Sequence, residues 1–176
     1  MPLYVTATGW LAMMLCISSY LMRDHRKLTI VAAIGVLTWA AYFLLQAHWT
    51  AGVLSVVMAL RVAAGLFIAR MTLAQRRYAT LLGWTVTAAG AMLTWQGVTS
   101  VPSTVASLFM VWAGLNLFYR QLRLALLVAE VLWFANGWVL NSNAAMVAAA
   151  VSFTINLVIV YCERPGRAIP LEGSPS

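Results

Sequence analysis

Charged residues divide the chain into four long apolar stretches. The first, residues 2–22, has the length of one membrane-spanning helix, because about 20 helical residues cross a hydrocarbon core of roughly 30 Å. The other three, residues 28–69, 78–119 and 124–162, are each about twice as long and carry a polar or turn-forming cluster near the middle. Turn-forming residues belong where backbone groups meet water, so each long stretch is predicted to be a helical hairpin.

One crossing and three hairpins predict an all-α membrane protein with seven transmembrane helices. The predicted spans are residues 8–22, 28–45, 51–70, 78–95, 102–119, 124–140 and 144–162. The last segment, residues 163–176, contains three prolines and two glycines and lacks an apolar period. This composition predicts a disordered cytoplasmic tail.

Composition supports the membrane assignment. Hydrophobic residues make up 63% of the chain and charged residues 9%, against about 45–50% and 25% in soluble domains. The net charge of +7 comes from short clusters between apolar runs. No basic face with interleaved aromatics is apparent, so the charge indicates membrane orientation and not nucleic-acid binding.

The basic residues define the orientation. Ten of the eleven Lys and Arg residues fall on one side of the predicted helices, and Arg61 lies within the third helix. The excess of positive charge in cytoplasmic loops places these loops and the C-terminus inside and the N-terminus outside. Tryptophans near the outer boundary and tyrosines near the inner one support this orientation; they are Trp10, Trp49, Trp95, Trp138, Tyr20, Tyr78, Tyr119 and Tyr161.

A shift of 94 residues lays helices five to seven over helices one to three. Arg26 then falls on Arg120 and Trp39 on Trp133. We interpret this as two parallel three-helix bundles, residues 1–70 and 101–162, joined by a linker loop and helix four in residues 71–100 (3+1+3). A single helix between the copies is what keeps two three-helix units parallel. Seven helices without an ancestral repeat remain the alternative.

Several short segments carry a family resemblance. The run Met22-Arg-Asp-His-Arg-Lys27 is followed by Ala59-Leu-Arg61, Asn136-Gly-Trp138 and Asn156-Leu157. In this order they resemble the YgjV family of bacterial inner-membrane proteins, across nearly the whole chain. The resemblance implies a multi-pass protein of the bacterial inner membrane.

More distantly, the layout is similar to the SWEET and PQ-loop superfamily, whose members move sugars and other small solutes. In those proteins aromatic and Asn side chains of corresponding helices line the solute pocket. By that resemblance, Trp39, Trp133 and Asn156 are candidate pocket residues, and Asn136 is a weaker candidate. Ser152 lies one helical turn before Asn156 and shares its face. Ordinary packing between helices is the alternative for all of them.

Arg61 and Glu130 are two charges predicted at membrane depth. Insertion of such residues costs about 2.5–3.5 kcal/mol each near a helix centre, so neither should face lipid. The hypothesis is a mutual ion pair between the bundles, serving a substrate or proton site. A purely structural pair, or an Arg61 side chain that extends to the inner surface, is the alternative.

The sequence favours a small-solute transporter or facilitator that works without ATP, because no P-loop motif is present. Arg61 near the pocket would favour a polar or anionic solute. A membrane protein that binds lipid or a partner is the alternative, and a homo-oligomer is compatible with both. No nucleophile–base pair or metal-ligand spacing appears, so we expect neither catalysis nor a cofactor, and Cys16 and Cys162 are expected to be free thiols.

Overall fold

A computed structural model describes residues 2–20, 22, 24–117 and 119–162; the side chains of residues 25, 69 and 119 are not part of that description. The predicted tail, residues 163–176, lies outside the described residues. Within them the regular structure is helical throughout. The α-helices are α1 (Leu3–Tyr20), α2 (His25–Leu45), α3 (Trp49–Ala64), α4 (Leu73–Leu93), α5 (Val101–Asn116), α6 (Tyr119–Val139) and α7 (Asn143–Cys162).

Each predicted span overlaps one of these helices. Five helices are long and apolar enough to cross a membrane: α1, α2, α6, α7, and α5 extended by the preceding 3-10 turn Gly97–Ser100. α3 is apolar but has only 16 residues. α4 has 21 residues but opens with the polar run Gln75-Arg-Arg77, which lowers its hydropathy. The fold is therefore that of a multi-pass helical membrane protein.

Four boundaries differ from the predicted ones by five residues or more. α4 begins at Leu73 and not at residue 78, and α6 begins at Tyr119 and not at residue 124. α1 begins at Leu3 and not at residue 8, because Pro2 can precede a helix and its carbonyl accepts the N–H of Val5 at 3.1 Å. α3 ends at Ala64 and not at residue 70. Gly65 closes it, since the Gly65 N–H bonds the carbonyls of Arg61 and Val62, and a 3-10 turn follows at Ile68–Arg70. Arg61 therefore lies in the last turn of α3.

Side-chain caps fix two helix starts on the side that carries the basic loops, the basic side. The Asp24 carboxylate accepts the N–H of Lys27 at 3.0 Å at the start of α2, and this bond holds the pKa of Asp24 below its ordinary value of 3.8. Thr72 and Gln75 form a reciprocal capping box at the start of α4. These caps satisfy backbone groups that a helix end leaves free.

Six helices close a ring. α2 packs between α1 and α3, and α6 packs between α5 and α7. α3 contacts α5, and α7 contacts α1, so the order around the ring is α1, α2, α3, α5, α6, α7. α4 lies outside the ring against α3 and α5.

Small residues permit these close contacts, as is usual between helices in membranes. A Cβ atom added at Gly9 of α1 would lie 2.6 Å from the Tyr42 ring of α2 and 3.1 Å from Cβ of Ala144 of α7. One added at Gly35 would lie 2.7 Å from the sulfur of Cys16. Cys16 is a free thiol, as predicted, and so is Cys162.

The polar clusters predicted to be turns bind one another on the side opposite the basic loops, the uncharged side. Thr50 donates to the carbonyl of Thr94, and its hydroxyl lies 2.9 Å from that of Ser100. The Gln96 side chain donates to the carbonyl of Ala47 at 2.7 Å. These bonds tie the α2–α3 turn to the α4–α5 connection.

Candidate functional site

Arg61 packs against α5. A Cβ atom added at Gly114 of α5 would overlap the Arg61 guanidinium, so this group covers Gly114 directly. The Nε atom of Arg61 is buried without a hydrogen-bond partner in the part of the chain that the structure describes. Arg61 is thus a packing element of the α3–α5 interface near the basic side. Arg61 lies in the last turn of α3 and not at mid-helix, because α3 ends earlier than predicted.

The predicted ion pair with Glu130 is not formed. Among the described residues, no Lys or Arg nitrogen lies within 4.0 Å of the Glu130 carboxylate. Glu130 lies near the middle of the 21-residue helix α6 and acts electrostatically on Cys16 and Tyr20 of α1. The two charges therefore belong to different interfaces.

Glu130 also lacks a hydrogen-bond partner among residues 2–20, 22, 24–117 and 119–162. Its side chain is only partly buried within the chain. A carboxyl group in a low-dielectric environment is costly unless a cation or a proton neutralises it. Glu130 is therefore the clearest polar candidate at mid-helix depth.

Three aromatic rings run from α2 to α6 and form what we call the aromatic row: Trp39, Phe43 and Trp133. The Trp39 and Phe43 ring centroids are 5.7 Å apart with planes at 27°, and those of Phe43 and Trp133 are 6.5 Å apart at 17°. The row brings together the two tryptophans that the 94-residue shift relates. Sequence analysis did not include Phe43 among the site residues. Its position one turn after Trp39 indicates that the two rings share a helix face.

The aromatic row adjoins two unsatisfied polar groups on α6. Asn136 is fully buried, and neither its amide nitrogen nor its amide oxygen has a hydrogen-bond partner among the described residues. Glu130, Trp133 and Asn136 follow one another at intervals of three residues over about 9 Å, so Trp133 neighbours both, while Glu130 and Asn136 point about 120° apart around the helix. We call these three residues the α6 ladder.

Asn156 is also fully buried, but its amide is satisfied. It donates to the carbonyl of Ser152 at 2.9 Å and accepts from Arg123 Nη1 at 2.9 Å. The Arg123 guanidinium carbon lies 5.9 Å from the ring centroid of Tyr20, at the end of α1. Tyr20, Arg123 and Asn156 form the basic-side clasp, which joins α1, α6 and α7.

A second contact closes the uncharged side. The hydroxyls of Tyr42 in α2 and Ser142 in the α6–α7 turn lie 2.7 Å apart, and both residues are buried. Ser142 Oγ also accepts the N–H of Ala145 at 3.3 Å. We call this the uncharged-side clasp. Sequence analysis included neither Arg123 nor Tyr42 in the site.

Two surface grooves lie elsewhere. One, of about 540 Å³, is lined by Phe67, Arg70, Met71, Ala74, Gln75, Tyr78 and Ala79 on the basic side. The other, of about 520 Å³, lies between α4 and α5 and is lined by Trp84, Ala88, Val105, Leu108, Phe109 and Trp112. Neither groove includes a predicted site residue.

Comparison with protein families identifies the chain. Residues 4–164 match the model of the Imp-YgjV family, described as a bacterial inner membrane protein. The chain therefore belongs to the YgjV family and is a multi-pass protein of the bacterial inner membrane. Comparisons with curated proteins and with solved structures gave no match.

Proposed function

We propose that this YgjV-family member carries a small polar solute across the inner membrane without ATP. In this proposal seven spanning helices form two parallel three-helix bundles of SWEET-like architecture, joined by α4, with the N-terminus outside and the C-terminus in the cytoplasm. The α6 ladder and the aromatic row form the binding surface. Catalysis and a cofactor are not part of the proposal.

The helix contacts support the repeat. The 94-residue shift relates α1 to α5, α2 to α6 and α3 to α7. If the two copies are equivalent, the contact between α3 and α5 should have a counterpart between α7 and α1. Both contacts occur. α2 and α6, the middle helices of the two bundles, then face each other through the aromatic row. Carriers built from such repeats bind their solutes at the repeat interface near mid-membrane.

The observation that carries the proposal is the α6 ladder. A membrane helix that serves only for packing is expected to satisfy its polar groups or to lack them, because each unsatisfied group in hydrocarbon is costly. Asn136 and Glu130 have no partner in the described part of the chain, and the Trp133 ring lies between them along the helix. A bound polar solute would satisfy both groups and contact the ring.

The two clasps fit an occluded carrier. The uncharged-side clasp joins the first bundle to the second on one side of the ladder, and the basic-side clasp joins them on the other. Release of one clasp at a time would open the ladder to one side of the membrane. Alternating access in repeat-built carriers needs such a pair of barriers around a fixed site.

Uptake into proteoliposomes tests the proposal. A panel of labelled sugars, amino acids, organic acids and amines is offered to the purified wild type and to Glu130→Gln, Asn136→Leu and the control Thr154→Ala. Thr154 is exposed on α7 and bonds only the Ala150 carbonyl of its own helix. We expect one solute class to be taken up by the wild type and the control and not by the ladder variants. Absence of uptake of every solute, or full uptake by both ladder variants, would refute the proposal.

A non-transporting, lipid-binding protein is the second candidate, and the α4–α5 groove favours it. The Trp84 indole donates to the carbonyl of Leu108 at 2.9 Å, which leaves a largely apolar groove wide enough for an acyl chain. Native mass spectrometry of Val105→Trp, which fills the groove, separates the two functions. Loss of a bound lipid without any loss of uptake would leave the carrier proposal intact.

A further inference from the structure

We infer that the solute is an organic cation, a small amine or quaternary ammonium compound whose charge meets Glu130 and whose apolar part contacts the aromatic row. This inference rests on the proposed carrier function. It concerns the same site and adds the chemical class of its ligand.

The distribution of charge is the first argument. The chain has four acidic residues, Asp24, Glu130, Glu163 and Glu172. Of the two that the structure describes, Glu130 lies in the interior of a helix. Asp24 caps α2, and the other two lie outside the described residues. Glu130 therefore supplies the negative charge at the site.

Two basic side chains, Arg61 and Arg123, contact groups other than Glu130. Arg61, which would have attracted an anionic solute, covers Gly114 at the α3–α5 interface. Arg123 donates to Asn156 and lies over the Tyr20 ring. Within the described residues, no cation pairs with the Glu130 carboxylate. A cationic ligand would supply the missing partner, because a buried carboxylate gains most from a desolvated positive charge.

Aromatic residues lie near this carboxylate, which is the second argument. Trp133 lies one turn after Glu130 on α6. Glu130 acts electrostatically on Tyr20 and on Cys16 of α1. Rings present a negative face to a cation, and groups of them recognise quaternary ammonium compounds. A carboxylate beside several rings is therefore a suitable environment for an organic cation.

The remaining polar groups argue against a neutral polyol. Such a solute needs several hydrogen-bond partners, since each buried hydroxyl must be satisfied. Asn156, Ser142 and Tyr42 already pair with protein groups. Asn136 is left with a free amide, which is enough for one polar substituent on a cation but not for a ring of hydroxyls.

The test compares ligands of one shape and different charge. Purified protein in detergent is titrated with choline, its neutral isostere 3,3-dimethyl-1-butanol and the anion 3,3-dimethylbutyrate. Tryptophan fluorescence reports binding because two rings of the row are indoles. Benzyltrimethylammonium is added as a larger cation. Uptake of the same compounds into proteoliposomes is measured in parallel.

We expect the cations to bind and to be taken up, with binding weakened about tenfold or more in Glu130→Gln. Glu130→Asp should retain part of the affinity, and Thr154→Ala should match the wild type. Elution of each variant as a single species on size exclusion confirms folding. Uptake of neutral or anionic solutes from the wider panel, with no cation taken up, would overturn the cation class and leave the carrier function standing. Uptake of nothing at all would overturn both.

Discussion

The Arg61 guanidinium occupies the space above Gly114 that a side chain at position 114 would need. This contact joins the last turn of α3 to α5 and depends on the absence of a Cβ atom at position 114. A long cationic side chain is thereby accommodated at a helix interface without an acidic partner among the described residues.

Gly114→Ala should displace the Arg61 guanidinium; because this group is the end of a flexible side chain, the loss of stability should lie at the low end of the about 1–3 kcal/mol that overpacking costs. The physical reason is overlap of the new methyl group with the guanidinium. Arg61→Ala in the same chain removes the overlap and should recover part of the loss. Thermal unfolding in detergent measures both effects. Equal stability of Gly114→Ala and the wild type would contradict the packing described above.

Arg61 and Glu130 should behave as independent residues. Because they lie at different interfaces and form no ion pair, the losses of stability in Arg61→Ala and Glu130→Ala should add in the double variant to within about 0.5 kcal/mol. The ion-pair hypothesis from the sequence implies the opposite, a partial recovery in the double variant. Denaturation of the wild type, the two single variants and the double variant under one condition decides between additivity and recovery. Coupling above about 1 kcal/mol would restore the ion-pair hypothesis.

Asn136→Leu should keep or raise the free energy of unfolding, by up to about 1–3 kcal/mol. The reason is that removal of an unsatisfied buried amide removes its desolvation cost. Asn156→Ala should act in the opposite direction, because it leaves Arg123 without its acceptor. The two melting temperatures, measured side by side, test this contrast. A clear loss of stability in Asn136→Leu without a gain elsewhere would show that the amide has a structural partner.

The clasps should control access to Cys16, which lies on α1 between the two contacts. With Cys162→Ser as background, Tyr42→Phe removes one hydroxyl of the uncharged-side clasp. A hydrogen bond contributes about 0.5–1.5 kcal/mol, so a membrane-impermeant thiol reagent should label Cys16 about 2–10 times faster from that side. Asn156→Ala should have the corresponding effect from the basic side. Tyr78→Phe, at an exposed ring, is the control.

Orientation is tested with two positions at opposite ends of α7. Asn143 is exposed at its start and Cys162 is exposed at its end. In a chain with Cys16→Ser, the cysteine of Asn143→Cys should react from the periplasm in intact cells, and Cys162 only after the membrane is opened. Ser142, although adjacent, is unsuitable because it is buried against Tyr42. Reaction of both thiols in intact cells would contradict the proposed topology.

The sequence by itself determined the helical class, the approximate place of each helix and the membrane location. These depend on the lengths of apolar runs and on where charges and turn residues interrupt them, which are local properties of the chain. The error at α3 had a local cause as well. Gly65 ended the helix within an uninterrupted apolar run, and this moved Arg61 from mid-helix to the last turn.

Only the tertiary structure decided which side chains meet. Helices such as α2 and α7 are apolar on nearly every side, so their pattern does not show which face points into the bundle. In a membrane that choice is made by close packing of small residues and by hydrogen bonds between helices. Phe43 stacks between Trp39 and Trp133, Asn156 accepts a hydrogen bond from Arg123, and the Arg61 guanidinium packs against Gly114. Each of these contacts depends on helix rotation and depth, which hydropathy along the chain does not encode.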